Sequence, residues 1–265
     1  MSGALELPLG IPFGSSPSFA ELVGRQRPEA LPAMLTDTPF PVPHGTTVLG
    51  LKFDGGMVMA GDRRATAGNL IADAKMRKVF AADDYSAIAI AGVAGQAIEM
   101  VKLFQLELEH YEKITGDRLS LEGKANRLAQ MIRGNFPLAM QGLIVVPLFG
   151  GYDHRRNEGR IFYYDATGGR WEEDDYQATG SGSQPAKNSL KKRWKAGLTR
   201  DEALRVAAEA LIDAAEDDSA TGGPDIARHI WPIMVIVTAQ GASDVAEADV
   251  AAAVEAVVAA RGGAS

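Results

Sequence analysis

The chain has 265 residues, 46% of them hydrophobic and 23% charged, the balance of a globular protein with a substantial core. Its net charge of −7 argues against nucleic acid or an acidic membrane surface as the main partner, and no basic tract reverses that. Cysteine is absent, which excludes disulfides, thiolate catalysis and thiolate metal sites and fits a reducing, cytoplasmic setting.

Residues 1–45 are rich in proline and glycine and show no sustained period. The opening MSGALELPLGIPFG lacks the basic, apolar and small-residue regions of an export signal. By composition this segment reads equally as a disordered tail or as a removable leader. It carries two arginines against four acids, so its loss would take the net charge from −7 to −5.

From Thr46 the pattern becomes regular. TTVLGLKF and MVMAGDRR, joined by Asp54-Gly55-Gly56, predict a β-hairpin. LIADAKMRKVFAADDYSAIAIAG predicts shorter strands with a turn at Asp83-Asp84. Val101, Phe104, Leu108 and Tyr111 then recur at helical spacing, and a second helix is predicted over about 120–135, with Leu121, Leu128 and Ile132 on one face. LIVVPLFGGYD and GRIFYYDATGG return to strand around the charged turn His154-Arg155-Arg156-Asn157. A short helix is predicted after Gly180-Ser181-Gly182-Ser183. A longer one starts at the capping box Thr199-Arg200-Asp201-Glu202, with Leu204, Ala208, Leu211 and Ala215 as its buried stripe. WPIMVIVTAQG predicts a further strand, and the Ala/Val-rich tail from Ala246 a last helix. This order predicts an α+β domain with helices layered outside a double sheet. No run of about 18 apolar residues occurs, so no membrane span is predicted.

Few hydrolytic mechanisms survive a survey of motifs. His44, His110, His154 and His229 form no HExxH or HxH pair, and no GxSxG elbow occurs, so neither a metal ligand set nor a serine triad is supported. Gly45-Thr46-Thr47 offers another chemistry. A threonine hydroxyl is a weak nucleophile that needs an adjacent base. An α-amino group, with an ordinary pKa of about 7.7–8.0, serves as one near neutral pH. Cleavage before Thr46 would place both on one residue, and the small Gly45 leaves the preceding carbonyl open to the same hydroxyl. Alone, the triplet reads more readily as the start of a strand. Likewise Lys78 alone reads as a solvated cation beside Lys75 and Arg77, and Asp62 as a turn carboxylate. Gly92 alone is a strand–helix turn, and Ser181, Asp218 and Thr221 are loop and helix-end residues.

Together, Gly45-Thr46-Thr47, Gly61-Asp62-Arg63-Arg64-Ala65-Thr66, Lys78, Ala91-Gly92-Val93-Ala94-Gly95, Gly180-Ser181-Gly182-Ser183 and Asp218-Ser219-Ala220-Thr221-Gly222-Gly223 resemble the proteasome β-subunit family. The resemblance runs from about Thr46 to Gly241, and the long leader is similar to that of the actinobacterial members. It implies a four-layer αββα sandwich of the N-terminal nucleophile hydrolase type, two stacked antiparallel sheets flanked by helices. It also implies a propeptide, residues 1–45, removed by autocleavage between Gly45 and Thr46, and a catalytic domain over 46–265. Thr46 is then the nucleophile, Lys78 favours its deprotonation, Asp62 fixes Lys78, and Arg64 supports that charge network. The Gly92 N–H faces the oxyanion, while Ser181, Asp218 and Thr221 orient the new amine. Many members carry serine at the position of Thr221, and threonine keeps the hydroxyl.

The same resemblance places Ala65, Met76, Phe80, Ile90, Ala94 and Ile98 around the side chain before the scissile bond. All are apolar, so apolar side chains are the expected preference. Backbone groups of Thr66 and Ala94 would hold the peptide as an added strand. The implied activity is threonine-type endopeptidase action on unfolded polypeptides in a closed chamber. Seven β subunits would form a ring, two rings would stack, α-subunit rings would cap them, and a separate ring ATPase would unfold substrates. No metal or organic cofactor is implied. Two alternatives stand beside it. One is the hexameric threonine peptidase of a two-component bacterial protease, whose leader is usually shorter. The other is an inactive structural ring subunit, which would lack the terminal threonine or the lysine.

Overall fold

The computed structural model describes residues 45–262. The expected propeptide other than Gly45, and residues 263–265, lie outside the described residues. In chain order the strands β1 (Thr47–Phe53), β2 (Gly56–Gly61), β3 (Ala65–Ala67), β4 (Leu70–Asp73), β5 (Val79–Asp83) and β6 (Ser86–Gly92) come first. Helices α1 (Ala94–Thr115), α2 (Leu121–Gly134) and the single turn α3 (Phe136–Ala139) follow. Next come β7 (Val145–Asp153), β8 (Glu158–Tyr164), β9 (Arg170–Glu173) and β10 (Tyr176–Gly180), then α4 (Ser183–Arg193) and α5 (Arg200–Asp217). The hairpin of β11 (Ile233–Thr238) and β12 (Gly241–Asp244) leads into α6 (Glu247–Gly262).

Two antiparallel five-stranded sheets result, ordered β10-β1-β2-β11-β12 and β5-β6-β7-β8-β9, with β3 and β4 pairing apart from both. Side chains alternate across each strand, and here both faces are covered. Val48, Met57, Met59, Val235 and Val237 of the first sheet meet Ala87, Ala89, Leu148 and Ile161 of the second. The opposite faces carry the helices. Leu49, Leu51, Val58 and Ala60 pack under Leu190, Leu204, Leu211 and Val254 of α4, α5 and α6. Ile88, Ile90, Phe149 and Phe162 pack under Phe104, Leu108, Leu128 and Ile132 of α1 and α2. The architecture is therefore the expected four-layer αββα sandwich.

The helix boundaries follow local chemistry. Ser120 caps α2, its hydroxyl accepting the Gly123 N–H at 3.1 Å. Thr199 and Glu202 close the expected capping box at α5. One position departs from the spacing: Tyr111, in the last turns of α1, is exposed, because Leu108 is the last residue of that helix to reach the core.

Candidate active site

The residues singled out in the sequence gather at one end of the sandwich, where strands of both sheets terminate. Thr46 precedes β1, Asp62 follows β2, and Ser181 follows β10, all in the first sheet. Lys78 precedes β5 and Gly92 ends β6, in the second. Asp218 caps the C-terminus of α5, and Thr221 lies just beyond it. Antiparallel pairing brings the start of one strand beside the end of its neighbour, so Thr47 pairs with Gly180 and Val48 with Gly61.

Lys78 is 1% exposed and Asp62 is 1% exposed, and the Lys78 ammonium lies 2.6 Å from Asp62 Oδ1. A solvated lysine is thereby ruled out. The ammonium also donates to the carbonyl oxygens of Arg64 at 2.5 Å and Gly45 at 3.1 Å, so its three hydrogens meet three acceptors. Asp62 is held in turn by backbone donors, the Thr47 N–H on Oδ1 and the Arg64 and Gly222 N–H groups on Oδ2. Burial pulls the Lys78 pKa below the ordinary lysine range, against the charge and hydrogen bond of Asp62, which pull it up. The guanidinium of Arg64 donates to the Ser219 carbonyl at 3.0 Å and so ties the Asp62 turn to the loop after α5.

Around Thr46 the junction is compact. The Thr46 hydroxyl donates to the Gly45 carbonyl oxygen at 2.5 Å. A Cβ added at Gly45 would lie 2.5 Å from the Ala220 carbonyl oxygen and 2.6 Å from the Thr66 hydroxyl, so no larger residue fits without rearrangement. The Thr46 carbonyl accepts the Ser181 N–H at 2.8 Å, and its N–H donates to Ser181 Oγ at 3.4 Å. Ser181 and Thr221 both donate to Asp218 Oδ2, at 2.5 Å and 2.6 Å, and the Ala220 N–H donates to Oδ1. Burial would raise the Asp218 pKa, but these hydrogen bonds and the field of Lys78 outweigh it and hold the carboxyl below its usual range.

Beside Thr46 lies a narrow cleft. Ala65, Met76, Ile90, Ala94 and Ala97 supply apolar lining, and Gly45, Thr46, Lys78 and Gly92 complete it. Its cavity volume is only about 10 Å³. Phe80 and Ile98 lie outside that lining and pack, half-buried, on the core beneath α1 and α2. Gly92 adopts a left-handed φ of 115°, and a side chain there would run into the Ile144 carbonyl, so the strand-to-helix turn requires glycine. Sequence reasoning missed Ala97, the Gly222 N–H and the Arg64 carbonyl. Helical spacing from Ala94 could have suggested the first, whereas backbone groups carry no residue signature.

Two sheets layered between helices, with a threonine at the head of a central strand and a buried lysine–aspartate pair at its side, define an N-terminal nucleophile hydrolase. The proteasome subunit family model matches residues 42–228. A proteasome subunit beta of Streptomyces griseus is 57% identical over 239 residues, 89% of this chain and 85% of that protein. A proteasome subunit beta of Frankia casuarinae is 50% identical over 264 residues, 98% of this chain and 96% of that protein. The chain belongs to the proteasome subunit family, as a core-particle β subunit and threonine endopeptidase. Among the described residues, no helix is long and apolar enough to cross a membrane.

Proposed function

We propose that the chain is made as an inactive precursor, is cut between Gly45 and Thr46 by its own Thr46 hydroxyl, and then hydrolyses peptide bonds with Thr46 as N-terminal nucleophile. One observation carries this reading: the Thr46 hydroxyl lies 2.5 Å from the Gly45 carbonyl oxygen, to which Lys78 also donates at 3.1 Å. Attack of Oγ1 on the Gly45 carbonyl carbon closes a small ring through Cβ, Cα and nitrogen of Thr46. Negative charge then develops on the oxygen that Lys78 already contacts, where a fixed donor is most effective. The C–N bond breaks, the nitrogen takes a proton, and an ester joins Gly45 to Oγ1. Water hydrolyses that ester, leaving a Gly45 carboxylate and a Thr46 with free hydroxyl and amine.

Before the cut, the Thr46 nitrogen is an amide without a basic lone pair. Afterwards it takes the hydroxyl proton as Oγ1 attacks a peptide carbonyl, passes it to the leaving nitrogen, and activates the water that clears the acyl ester. Lys78 stabilises the forming alkoxide, Asp62 holds Lys78 in place, and the Gly92 N–H serves the oxyanion. The single hydrogen of Ser181 goes to Asp218, so the serine lone pairs face the Thr46 nitrogen. An amine there donates to Ser181 and keeps its own lone pair for the hydroxyl, with Thr221 steadying Asp218.

Ala65, Met76, Ile90 and Ala94 favour an apolar side chain before the scissile bond, with Phe80 and Ile98 supporting that wall from behind. Thr66 and Ala94 present backbone to the peptide as an added strand. As a proteasome subunit the chain works in rings with other subunits. Its family membership supports seven β subunits per ring, two stacked rings, capping α rings, a separate ring ATPase and a cytoplasmic setting. Intact-mass measurement of the assembled particle should show loss of residues 1–45. Thr46→Ala should retain them and hydrolyse no peptide; a full-length chain in an active particle would sink the mechanism.

A further inference from the structure

Thr47 has no part in the mechanism above, yet it touches both halves of the site. It is fully buried. Its N–H donates to Asp62 Oδ1 at 2.9 Å, on the lysine side. Its hydroxyl accepts the Gly182 N–H at 3.0 Å and lies 2.6 Å from the Thr221 hydroxyl, on the side of the amine.

The direction of that last bond follows from counting hydrogens. Thr221 has one hydroxyl hydrogen and spends it on Asp218 Oδ2, since an ionised carboxylate can only accept. The hydrogen between the two threonines therefore comes from Thr47. A one-way line runs from Thr47 through Thr221 to Asp218, and it meets there the bond from Ser181. The Gly182 N–H, held by the same Thr47 oxygen, sits one residue from Ser181, so Thr47 restrains the serine through backbone as well.

We propose that Thr47 is a positioning residue, whose hydroxyl fixes Asp218 and Ser181 around the Thr46 nitrogen while its amide fixes Asp62 for Lys78. This rests on Thr46 being the nucleophile. A hydroxyl that accepts a hydrogen bond donates more strongly, so the Thr47 bond lets Thr221 draw more charge from Asp218. Removing the hydroxyl leaves more of that negative charge facing the Thr46 amine and raises the amine's proton affinity. The other charged groups near that nitrogen are Lys78, Asp62 and Arg64, and the substitution leaves their contacts in place.

Thr47→Val keeps the shape and the amide and removes the hydroxyl, while Thr47→Ser keeps both polar groups. Each variant is compared in the assembled particle, with kcat expressed per processed chain by intact mass. For Thr47→Val we expect kcat to fall about ten- to a hundredfold, KM for a short apolar peptide to stay within about twofold, and the acid limb of kcat against pH to move upward. Thr47→Ser should recover to within about threefold of the parent and keep its pH profile. If Thr47→Val yields no processed chain, the rate of self-cleavage read by mass makes the same comparison, with Thr47→Ser near normal. Parental kcat and pH profile in Thr47→Val overturn the assignment, as does equal loss in both variants. A parallel Thr46→Ala particle separates the two readings. Hydrolysis persisting there refutes the nucleophile itself, whereas its loss beside an unaffected Thr47→Val refutes only the role of Thr47.

Discussion

At Lys78 three acceptors divide the three hydrogens of one ammonium group, and two of them are backbone carbonyls that only the fold can deliver. We expect Lys78→Ala to block self-cleavage and to lower hydrolysis by about a thousandfold, measured by intact mass and by peptide turnover. Lys78→Arg should not rescue either step, because a planar fork cannot serve three converging acceptors around one nitrogen. The lysine also leaves a signature in stability against pH. Burial lowers its folded pKa, so between that value and about 10.5 the unfolded chain binds more protons than the folded one. Stability of the parent should therefore rise with pH through that interval relative to Lys78→Met, as urea unfolding at several pH values would reveal. The side chains at Thr46, Asp62, Lys78, Ser181, Asp218 and Thr221 were legible because their spacing forms a family pattern. Thr47 was visible only as a neighbour of Thr46, since its value lies in contacts with residues more than a hundred positions away.

Among the elements, those whose cause is local were read best. The capping box at α5 involves Thr199 and Glu202 alone, each satisfying the other's backbone N–H. Thr199→Ala should cost about 1 kcal/mol of stability in a denaturant titration and leave peptide turnover per folded chain unchanged. The central strands were legible as apolar runs because both their faces are buried. Strands β9 and β10 were not. RWEE lies at the edge of its sheet with a mostly polar, partly exposed surface, and YQATG follows a run of acids, so neither shows the alternation that marks a half-buried strand. Strand β4 falls within the segment expected to form shorter strands, but its three-residue partner β3 escaped, the pair joining neither sheet. Arg160 shows the same limit for ion pairs. It joins Asp153, Glu122 and Glu172 from a strand, a helix and another strand, a meeting that no local pattern announces.

The whole molecule sets the geometry of the site through the seam between its sheets. Thr46 and Asp62 belong to one sheet and Lys78 to the other, so their separation depends on what fills the space between. Small residues of β6, Ala87, Ala89 and Ala91, face that space, while its larger Ile88 and Ile90 point to the helices. Ala89→Leu should cost about 1–3 kcal/mol by overpacking. Its effect on turnover should exceed its effect on stability, because a sheet shifted by one methyl group pulls Lys78 away from both Asp62 and the nucleophile. Parallel measurement of unfolding free energy and of kcat on the assembled particle checks this. The sandwich class was legible in the sequence; the division of the buried lysine–aspartate pair between its two sheets was not, since strand order is fixed by pairing across the whole chain.

Chain ends ordinarily fray, and an enzyme whose nucleophile is a terminus must overcome that. Beyond the proposed scissile bond the Thr46 carbonyl is held by the Ser181 N–H, and the Thr47 N–H by Asp62. The terminus that the proposed cut would create is thus immobilised while it is still mid-chain. Its loss of freedom is met during folding, when the whole strand orders, and not at the moment of cutting. On the proposed cleavage, activation would need no rearrangement of these two contacts, and they would keep a freed threonine from swinging away from its lysine.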